Sequence, residues 1–438
     1  MVKQYLKQAW QMMKQQKLFS TIYILGTALA VCFTLVMLFS IHARITPNYP
    51  EYSRLKLYKP MARFTTENRS FTAGYFSHRA VEEMFRPLQH VEALTAISYD
   101  TGGRKVQLPE RKGDYDLRTL FTDTGFFQVF NFDFLEGSPF TDVDFQSGLH
   151  KVVITDQLAR RVFGSDKGIV GKEISIDYVS YQVCGVVKSA SILCAVSYAQ
   201  AYMPYTTKPG YERFIGDDYM GEYAVYMVIK NQEQMDGLMA ELHSRQSVVN
   251  LANDGKVKIE FNDPPVPHSY QMLHLMYERN DGFETFNGWK VFRYYLYVLM
   301  LLLIVPAINL SGMISSRMED RLPEMGVLKT FGASRGRLLS QVLTENLMLT
   351  LVGGLVGLVL SWIFLLADGA WAFSMFTVFT AASPTDDVGY SLSAELMFSP
   401  LLFVAVLLVC LLLNVFSALI PAWVSLRKPI VYSINQKE

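Results

Sequence analysis

The chain has 438 residues, of which 50% are hydrophobic, and its 40 lysines and arginines balance its 40 aspartates and glutamates. A net charge of zero argues against nucleic-acid binding, because a protein that neutralises phosphates needs a basic surface. Four apolar runs are each long enough to cross a hydrocarbon core of roughly 30 Å as a helix of about 20 residues. The composition therefore indicates a membrane protein.

Lysine and arginine are distributed unevenly around these runs. We predict transmembrane helices at residues 18–41, 291–313, 341–366 and 399–421. Lysines precede the first run, arginines follow the second and the fourth, and neither residue type occurs between Arg337 and Arg427. Because cytoplasmic loops carry an excess of these cations, both termini (with the tail 422–438) and the loop 314–340 are predicted to be cytoplasmic.

The segment 42–290 and the loop 367–398 are then predicted to be periplasmic, in a multi-pass inner-membrane protein. Ahead of the first span, residues 1–17 place Trp10 and Met13 on one helical face and lysines and glutamines on the other. This pattern predicts an amphipathic helix in the cytoplasmic membrane interface. The alternative is a simple extension of the first span.

The periplasmic segment is long enough to bury a core of its own. Alternating apolar residues predict strands at 151–154, 173–176, 181–187 and 223–229. Helical periodicity predicts helices at 77–85, 156–162 and 232–244. The mixed pattern predicts an α+β domain, with a subdomain inserted at roughly 104–195.

This segment contains no sequence motif for catalysis. Gly171-Lys172 lacks the earlier glycine of a phosphate-binding loop, and His268 and His274 are not spaced as a zinc pair on one helix face. We therefore predict that the chain is not an enzyme and has no catalytic, metal or cofactor site. Cys184 and Cys194 lie in a compartment that permits disulfides, and their spacing leaves open whether they are bridged.

The third span contains three glycines that suit close helix packing, namely Gly353, Gly354 and Gly357. The alternative is a glycine-tolerant helix that faces lipid. Glu345 lies near the cytoplasmic end of this span, where it either pairs with a loop cation or reaches the interface. Asn309, near the end of the second span, is a candidate for an interhelical polar contact.

The cytoplasmic loop contains a segment with the features of a short helix. Pro323 suits the first turn, and Met325, Leu328 and Phe331 can form an apolar ridge. Gly332 can end the helix in a left-handed cap. Lys329, Arg335 and Arg337 can contact a partner or anionic lipid. An inert hairpin, the alternative, does not need an apolar ridge.

Two sets of motifs resemble the MacB and LolC/LolE type of ABC transporter membrane subunit. The external set resembles the periplasmic core domain and consists, in order, of FFQVFNF (126–132), LEG (135–137), VVIT (152–155), LARRVFG (158–164), IVGK (169–172) and YQVCGVV (181–187). The second set resembles the FtsX-like permease domain, over 291–430, and consists of RLPEMGVLK (321–329), FGAS (331–334), Glu345, IPAW (420–423) and Lys428-Pro429.

The resemblance implies one helix before and three helices after a MacB-like core domain at 42–290. It implies a second permease subunit, identical or paralogous, and a MacB/LolD-like cytoplasmic ATPase that binds ATP and Mg²⁺. Since 17 residues precede the first span and no Walker A sequence is present, we expect the ATPase on a separate chain. The residues that match the family's ATPase-coupling helix are Arg321, Glu324, Met325, Gly326, Leu328, Lys329, Gly332, Ala333, Ser334 and Arg335.

From these features we expect the permease subunit of a mechanotransmitting ABC complex. ATP hydrolysis by the partner would change the conformation of the periplasmic domain and move a drug, peptide, lipid or lipoprotein. A periplasmic adaptor or an outer-membrane channel would accompany export. The alternative is a non-transporting FtsX-like scaffold that activates an envelope enzyme or senses an external ligand.

Overall fold

The structure is a computed structural model that describes residues 11, 15, 17–67, 70–99, 104–107, 114–191, 194–213, 219–252, 257–277, 288–374 and 400–427. The described residues belong to two compact units. What we call the membrane unit lies within Met1–Ile41, Trp289–Phe376 and Ser393–Glu438. What we call the external unit lies within His42–Gly288 and Thr377–Leu392.

The described strands all belong to the external unit. In chain order, β1 to β15 are Leu57–Lys59, Ala62–Thr65, Ser70–Ala73, Ala93–Tyr99, Arg104–Gln107, Asp114–Leu117, Thr119–Thr122, Phe134–Gly137, Lys151–Thr155, Glu173–Ile176, Val179–Val187, Ala201–Pro204, Tyr223–Val228, Lys258–Glu260 and Val266–Pro267.

The described helices occur in both units. In chain order, α1 to α11 are Lys17–Ile45, His78–Ala80, Phe126–Val129, Asp142–Gln146, Asp156–Phe163, Gln232–Ala252, His268–Tyr277, Gly288–Asp320, Leu322–Thr330, Arg335–Ser374 and Pro400–Arg427. A π-helical turn at Val81–Phe85 follows α2, and 3₁₀ turns lie at Arg54–Lys56 and Tyr205–Thr207.

Twelve of the described strands form one mixed sheet in the external unit. Its order is β15-β1-β13-β4-β7-β12-β9-β11-β10-β5-β6, and β8 pairs with β11. The central strands β7 and β12 run parallel, and every residue of β7, β12 and β13 is buried. Burial on both faces accounts for the continuous apolar sequences of β12 and β13. A second sheet, β14-β2-β3, is antiparallel.

The aromatic residues of the motif at 126–132 pack in the core of the external unit. Phe126 contacts Phe130 and Tyr202, with ring centroids 4.9 and 5.3 Å apart. Phe132 lies 5.1 Å from the same tyrosine ring. These rings are buried, so the motif is a core-packing element, since aromatic pairs at such distances stabilise an interior beyond the area they bury.

Local sequence signals explain the ends of α5. Thr155 caps its N terminus by accepting a hydrogen bond from the Leu158 N–H at 3.4 Å. Gly164, with φ of +73°, ends the helix in the left-handed conformation that glycine adopts without a Cβ penalty. The predicted helix at 156–162 therefore has the expected boundaries to within one residue.

The other predicted elements of the external unit differ little from the structure. The four predicted strands coincide with β9, β10, β11 and β13, apart from one or two terminal residues. The predicted helix at 232–244 extends to Ala252, and the one at 77–85 divides into α2 and a π-helical turn. The inserted subdomain at 104–195 stays a prediction, because its strands β5 to β11 belong to the same sheet as β4, β12 and β13.

The membrane unit contains three helices that are long and apolar enough to cross a membrane, among the residues that the structure describes. They are Lys17–Ile45, Arg335–Ala367 within α10, and Pro400–Val424 within α11. The predicted second span lies within α8, a helix of 33 residues that is not one of these three. A fourth span therefore stays a prediction.

The remaining predicted segments lie wholly or largely outside the described residues. The predicted helix at 1–17 falls in the undescribed part, apart from residues 11, 15 and 17. The predicted loop 367–398 begins as a continuation of α10 to Ser374, and residues 375–398 are not described. The predicted tail begins inside α11, and residues 428–438 are not described.

Candidate functional site

The predicted coupling segment forms helix α9. Arg321 occupies its N-cap position, Pro323 lies in the first turn, and Glu324 places a negative charge there. At the C terminus, the Gly332 N–H donates to the Lys329 carbonyl and the Ala333 N–H to the Leu328 carbonyl, both at 3.0 Å. With Gly332 at φ of +84°, these bonds form a Schellman cap. The helix therefore ends in a left-handed cap at Gly332, as the sequence predicts.

One side of α9 packs into the core of the membrane unit. Leu322 and Met325 are only 1% and 3% exposed, and Leu328 packs against the same apolar cluster. Gly326 is buried with them. The sequence places Gly326 among the predicted ATPase-coupling residues, which stays a prediction, and in the structure this residue lies on the buried side of α9.

The other side of α9 and the turn that follows are exposed. Phe331 is 86% exposed and Val327 is 47% exposed. The predicted ridge is therefore divided, since Met325 and Leu328 pack inward while Phe331 points outward. Other members of the predicted coupling segment are exposed here, namely Glu324, Gly332, Ser334 and Arg335, and Lys329 and Ala333 are partly exposed.

A buried charge cluster connects α9 with its neighbours. The Arg321 guanidinium donates from Nη1 to Glu345 Oε2 at 2.8 Å and from Nε to Glu324 Oε2 at 3.2 Å. Arg317 Nη2 lies 3.5 Å from the same Glu345 oxygen. The side chains of Arg321 and Glu345 are 8% and 4% exposed. Of the two interpretations of Glu345, the structure shows the pairing with loop cations, so α8, α9 and α10 are joined by one carboxylate.

The glycines of α10 lie at close helix contacts. A Cβ on Gly353 would come within 2.8 Å of Thr27 Cβ, and one on Gly357 within 2.6 Å of the Ala28 carbonyl oxygen. Gly354 faces a different helix, where its Cβ would meet Leu407 at 2.5 Å. The glycines thus allow α1 and α11 to approach α10 from two sides.

Sequence reasoning missed a polar network in the same unit. Tyr23 Oη lies 3.2 Å from Thr350 Oγ1, and Asn414 Nδ2 donates to that hydroxyl at 3.1 Å. Thr350 in turn donates to the Asn346 carbonyl at 2.9 Å. The three helices α1, α10 and α11 are therefore joined by hydrogen bonds as well as by packing. The side chain of Asn309 lies outside the described residues.

Cys184 and Cys194 are not bridged. Both are free thiols, and each sulfur is directed at a different carbonyl: Cys184 Sγ lies 3.4 Å from the Val152 oxygen and Cys194 Sγ lies 3.2 Å from the Tyr49 oxygen. Burial raises the pKa of the Cys184 thiol to about 12. The two sulfurs are thus held apart by separate contacts, and a disulfide is not part of the structure.

A second buried charge cluster, in the external unit, was also missed. Arg54 Nε donates to Glu51 Oε2 at 2.7 Å, and both side chains are fully buried. Glu51 Oε1 accepts bonds from the Ser197 N–H and hydroxyl at 3.0 and 2.8 Å. His268 Nε2 lies 3.6 Å from Glu51 Oε2. The available sequence signal is weak, namely that Glu51 is the first acidic residue of the chain.

The pKa values in this cluster are shifted by burial. Burial lowers the pKa of His268 to about 4, although the Glu51 carboxylate opposes the shift. Burial by itself would raise the pKa of Glu51. The Arg54 cation and the hydrogen bonds lower this pKa by more, so it lies below its usual value. At neutral pH the cluster therefore consists of a neutral histidine beside an ionised pair.

Comparison with known families identifies the class of protein. Residues 20–245 match the family described as MacB-like periplasmic core domain, and residues 296–430 match the FtsX-like permease C-terminal family. The chain belongs to the ABC transporter permeases that combine these two domains.

Named relatives share low sequence identity with the chain. The pyoverdine export ATP-binding/permease protein PvdT of Pseudomonas fluorescens is 24% identical over 389 residues, which are 85% of this chain and 54% of the relative. The macrolide export ATP-binding/permease protein MacB of Burkholderia cenocepacia is 25% identical over 260 residues, 58% of this chain and 34% of the relative. The chain thus spans about half the length, or less, of these relatives.

Two solved structures align with part of the chain. The extracellular domain of the ABC-type transporter YknZ from Gram-positive bacteria aligns with a TM-score of 0.33 and 17% identity, covering 46% of this chain and 99% of that one. The periplasmic region of MacB from Actinobacillus actinomycetemcomitans aligns with a TM-score of 0.31 and 14% identity, covering 48% of this chain and 89% of that one.

Proposed function

We propose that this chain is the permease subunit of a mechanotransmitting ABC exporter in an inner membrane. A cytoplasmic ATPase on a separate chain binds ATP and Mg²⁺, and its cycle changes the conformation of the external unit. The substrate is a drug, peptide, lipid or lipoprotein that moves on the outer side of the membrane. The relatives' names describe export of pyoverdine and of macrolides, which favours transport over a signalling scaffold.

The division of α9 into two sides carries this proposal. Its buried side is joined to α10 through the Arg321–Glu345 pair, and Met325 belongs to an apolar cluster with residues of α1, α8, α10 and α11. Its exposed side ends in Phe331, which is 86% exposed at the Schellman cap. An aromatic side chain surrounded by polar and basic residues is typical of a docking surface. A partner that moves α9 thereby moves the helices behind it.

The architecture that we propose has four spans, with α8 as the second and with both termini and α9 in the cytoplasm. A second permease chain, identical or paralogous, completes the complex. An adaptor or outer-membrane channel extends it on the outer side, and basic residues near α9 contact anionic lipid.

Substitution of Phe331 tests the docking surface. In the complex purified from native membranes, Phe331→Ala and Glu324→Lys are expected to release the co-purifying ATPase, because both side chains lie on the exposed side of α9. The readouts are the amount of bound ATPase and the rate of ATP turnover in nanodiscs.

Phe416→Ala is the matched control, because Phe416 is also an exposed aromatic residue of the membrane unit, at 61%. It should retain the ATPase. Normal ATPase association in both α9 variants would show that the segment is only a connection, and the proposed function would lose its structural support.

A further inference from the structure

The end of α1 and the start of α7 lie at the same buried ion pair. Arg54 Nη1 donates to the Ala43 carbonyl in the last turn of α1 at 2.7 Å, and to the Thr46 carbonyl at 2.9 Å. His268, the first residue of α7, lies 3.6 Å from the carboxylate that Arg54 binds through Nε. Helix α1 contains residue 42, where the first segment of the external unit begins, and α7 precedes residue 288, where that segment ends.

The pair is also attached to the central sheet of the external unit. Glu51 binds the backbone and hydroxyl of Ser197, and the Ser197 carbonyl accepts a bond from Tyr202 Oη on β12 at 3.0 Å. Tyr202 is fully buried, and β12 lies between β7 and β9. A chain of short hydrogen bonds therefore leads from the end of α1 through Arg54, Glu51 and Ser197 to the middle of the sheet.

The chemistry of this arrangement suits a fixed joint. A guanidinium is planar and directs its donors along fixed lines, so that one side chain can hold a carboxylate and two carbonyls in a single geometry. The carbonyls at a helix C terminus lack partners within the helix and carry partial negative charge, which a cation offsets. Because Arg54 is 1% exposed, water cannot replace these bonds when they are strained.

We propose that the Glu51–Arg54 pair is the joint that transmits movement of α1 to the central sheet and holds the start of α7 at the same point. Arg54 is a positioning residue in this account, and it touches no substrate. The inference rests on the proposed function, in which membrane helices drive the external unit. Specifically, the movement of α1 reaches the central sheet through these two side chains as well as through the covalent chain.

The test compares the response of the external unit to ATP in joint variants and in a control. The complex with its co-purifying ATPase is placed in lipid nanodiscs, and hydrogen exchange in peptides of the external unit is measured by mass spectrometry with and without Mg²⁺, ATP and vanadate. The joint variants are Arg54→Lys, which keeps the cation, and the double variant Glu51→Met with Arg54→Met, which leaves no unpaired charge. Arg160→Met, which removes a solvent-exposed ion pair with Asp166, is the control.

We expect both joint variants to keep ATP turnover and to lose the ATP-dependent change in exchange, while the control keeps both. A wild-type response in Arg54→Lys overturns the proposal, whether or not the double variant folds, and so does such a response in a folded double variant. Absence of any response in the unsubstituted complex would instead contradict the proposed function. The two failures are therefore distinguishable.

Discussion

Glu345 holds two arginines of the membrane unit at once. Its Oε2 lies 2.8 Å from Arg321 and 3.5 Å from Arg317, and its side chain is 4% exposed. Removing a buried carboxylate leaves its cations buried and unpaired. This lowers the free energy of unfolding more than replacing the whole ion pair by apolar side chains does. The residue therefore matters to the stability of the membrane unit as well as to the position of α9.

We predict that Glu345→Ala lowers the free energy of unfolding of the membrane unit by about 3–5 kcal/mol. The double variant Glu345→Met with Arg321→Met should lose less, because it buries fewer unpaired charges. Unfolding in mixed micelles, followed by circular dichroism, measures both. Equal losses in the single and double variants would show that the carboxylate is not the partner of Arg321.

His268 makes the stability of the external unit dependent on pH. Its pKa of about 4 in the folded chain lies below the value of about 6.5 in an unfolded chain, so the unfolded state binds more protons between these values. The stability is fully present above pH 6.5 and is lost as the pH falls towards 4, by up to about 3 kcal/mol.

Hydrogen exchange of α7 and β1 peptides, corrected for intrinsic rates, should show this loss between pH 6.5 and 4.5. Titration of Glu51 adds little there, because its pKa lies below the usual carboxyl value. His268→Gln should flatten the profile, whereas substitution of His90, whose side chain is 49% exposed, should not. An unchanged profile in His268→Gln would assign the pH dependence to other groups.

At the scale of elements, α10 packs closely against its neighbours where it has glycine residues. Gly357 lies against the backbone of α1, where an added Cβ would be 2.6 Å from the Ala28 carbonyl oxygen. The helix interface must open to accept even a methyl group, since lipid provides no hydrophobic force to press the helices together. The spacing of Gly353 and Gly357 therefore fixes how closely α1 and α10 approach.

Gly357→Ala is predicted to destabilise the membrane unit by about 1–3 kcal/mol, the usual cost of overpacking. Gly312→Ala is the matched control, because a Cβ at that helical position meets nothing within 4 Å. The control should be neutral or stabilising, since alanine favours a helix over glycine by about 1 kcal/mol. The midpoint of unfolding in mixed micelles separates the two, and equal shifts would contradict the packing argument.

For the whole molecule, the distribution of cations predicts its orientation in the membrane. Asp387→Cys, in the predicted outer loop, should react with an impermeant thiol reagent in intact spheroplasts. Ser340→Cys, in the predicted cytoplasmic loop, should react only after permeabilisation. The unsubstituted chain, with its four native cysteines, gives the background. The reverse pattern of labelling would overturn the predicted orientation.

The sequence by itself determined those features that depend on near neighbours along the chain. The apolar runs at 18–41 and 341–366, and the described residues 400–421 of the fourth run, lie in helices long enough to cross a membrane. Gly332 ends α9 where its missing side chain permits a positive φ. The strand at 173–176 has the predicted bounds because alternation with a period of two is a local property. The motifs placed the chain in its family.

Only the tertiary structure decided which side of each element is buried. Helical spacing puts Met325 and Phe331 on a common ridge, yet one is 3% and the other 86% exposed. Met325 is buried in a cluster that includes residues distant in sequence, Tyr23 of α1 and Ala418 of α11. Cys184 and Cys194 are ten residues apart but bind separate carbonyls on different parts of the fold. In the sequence, Glu51 and Arg54 resemble ordinary surface charges. In the folded chain, Ser197 and His268 lie beside Glu51. Burial depends on contacts between distant residues, and no local pattern encodes such contacts.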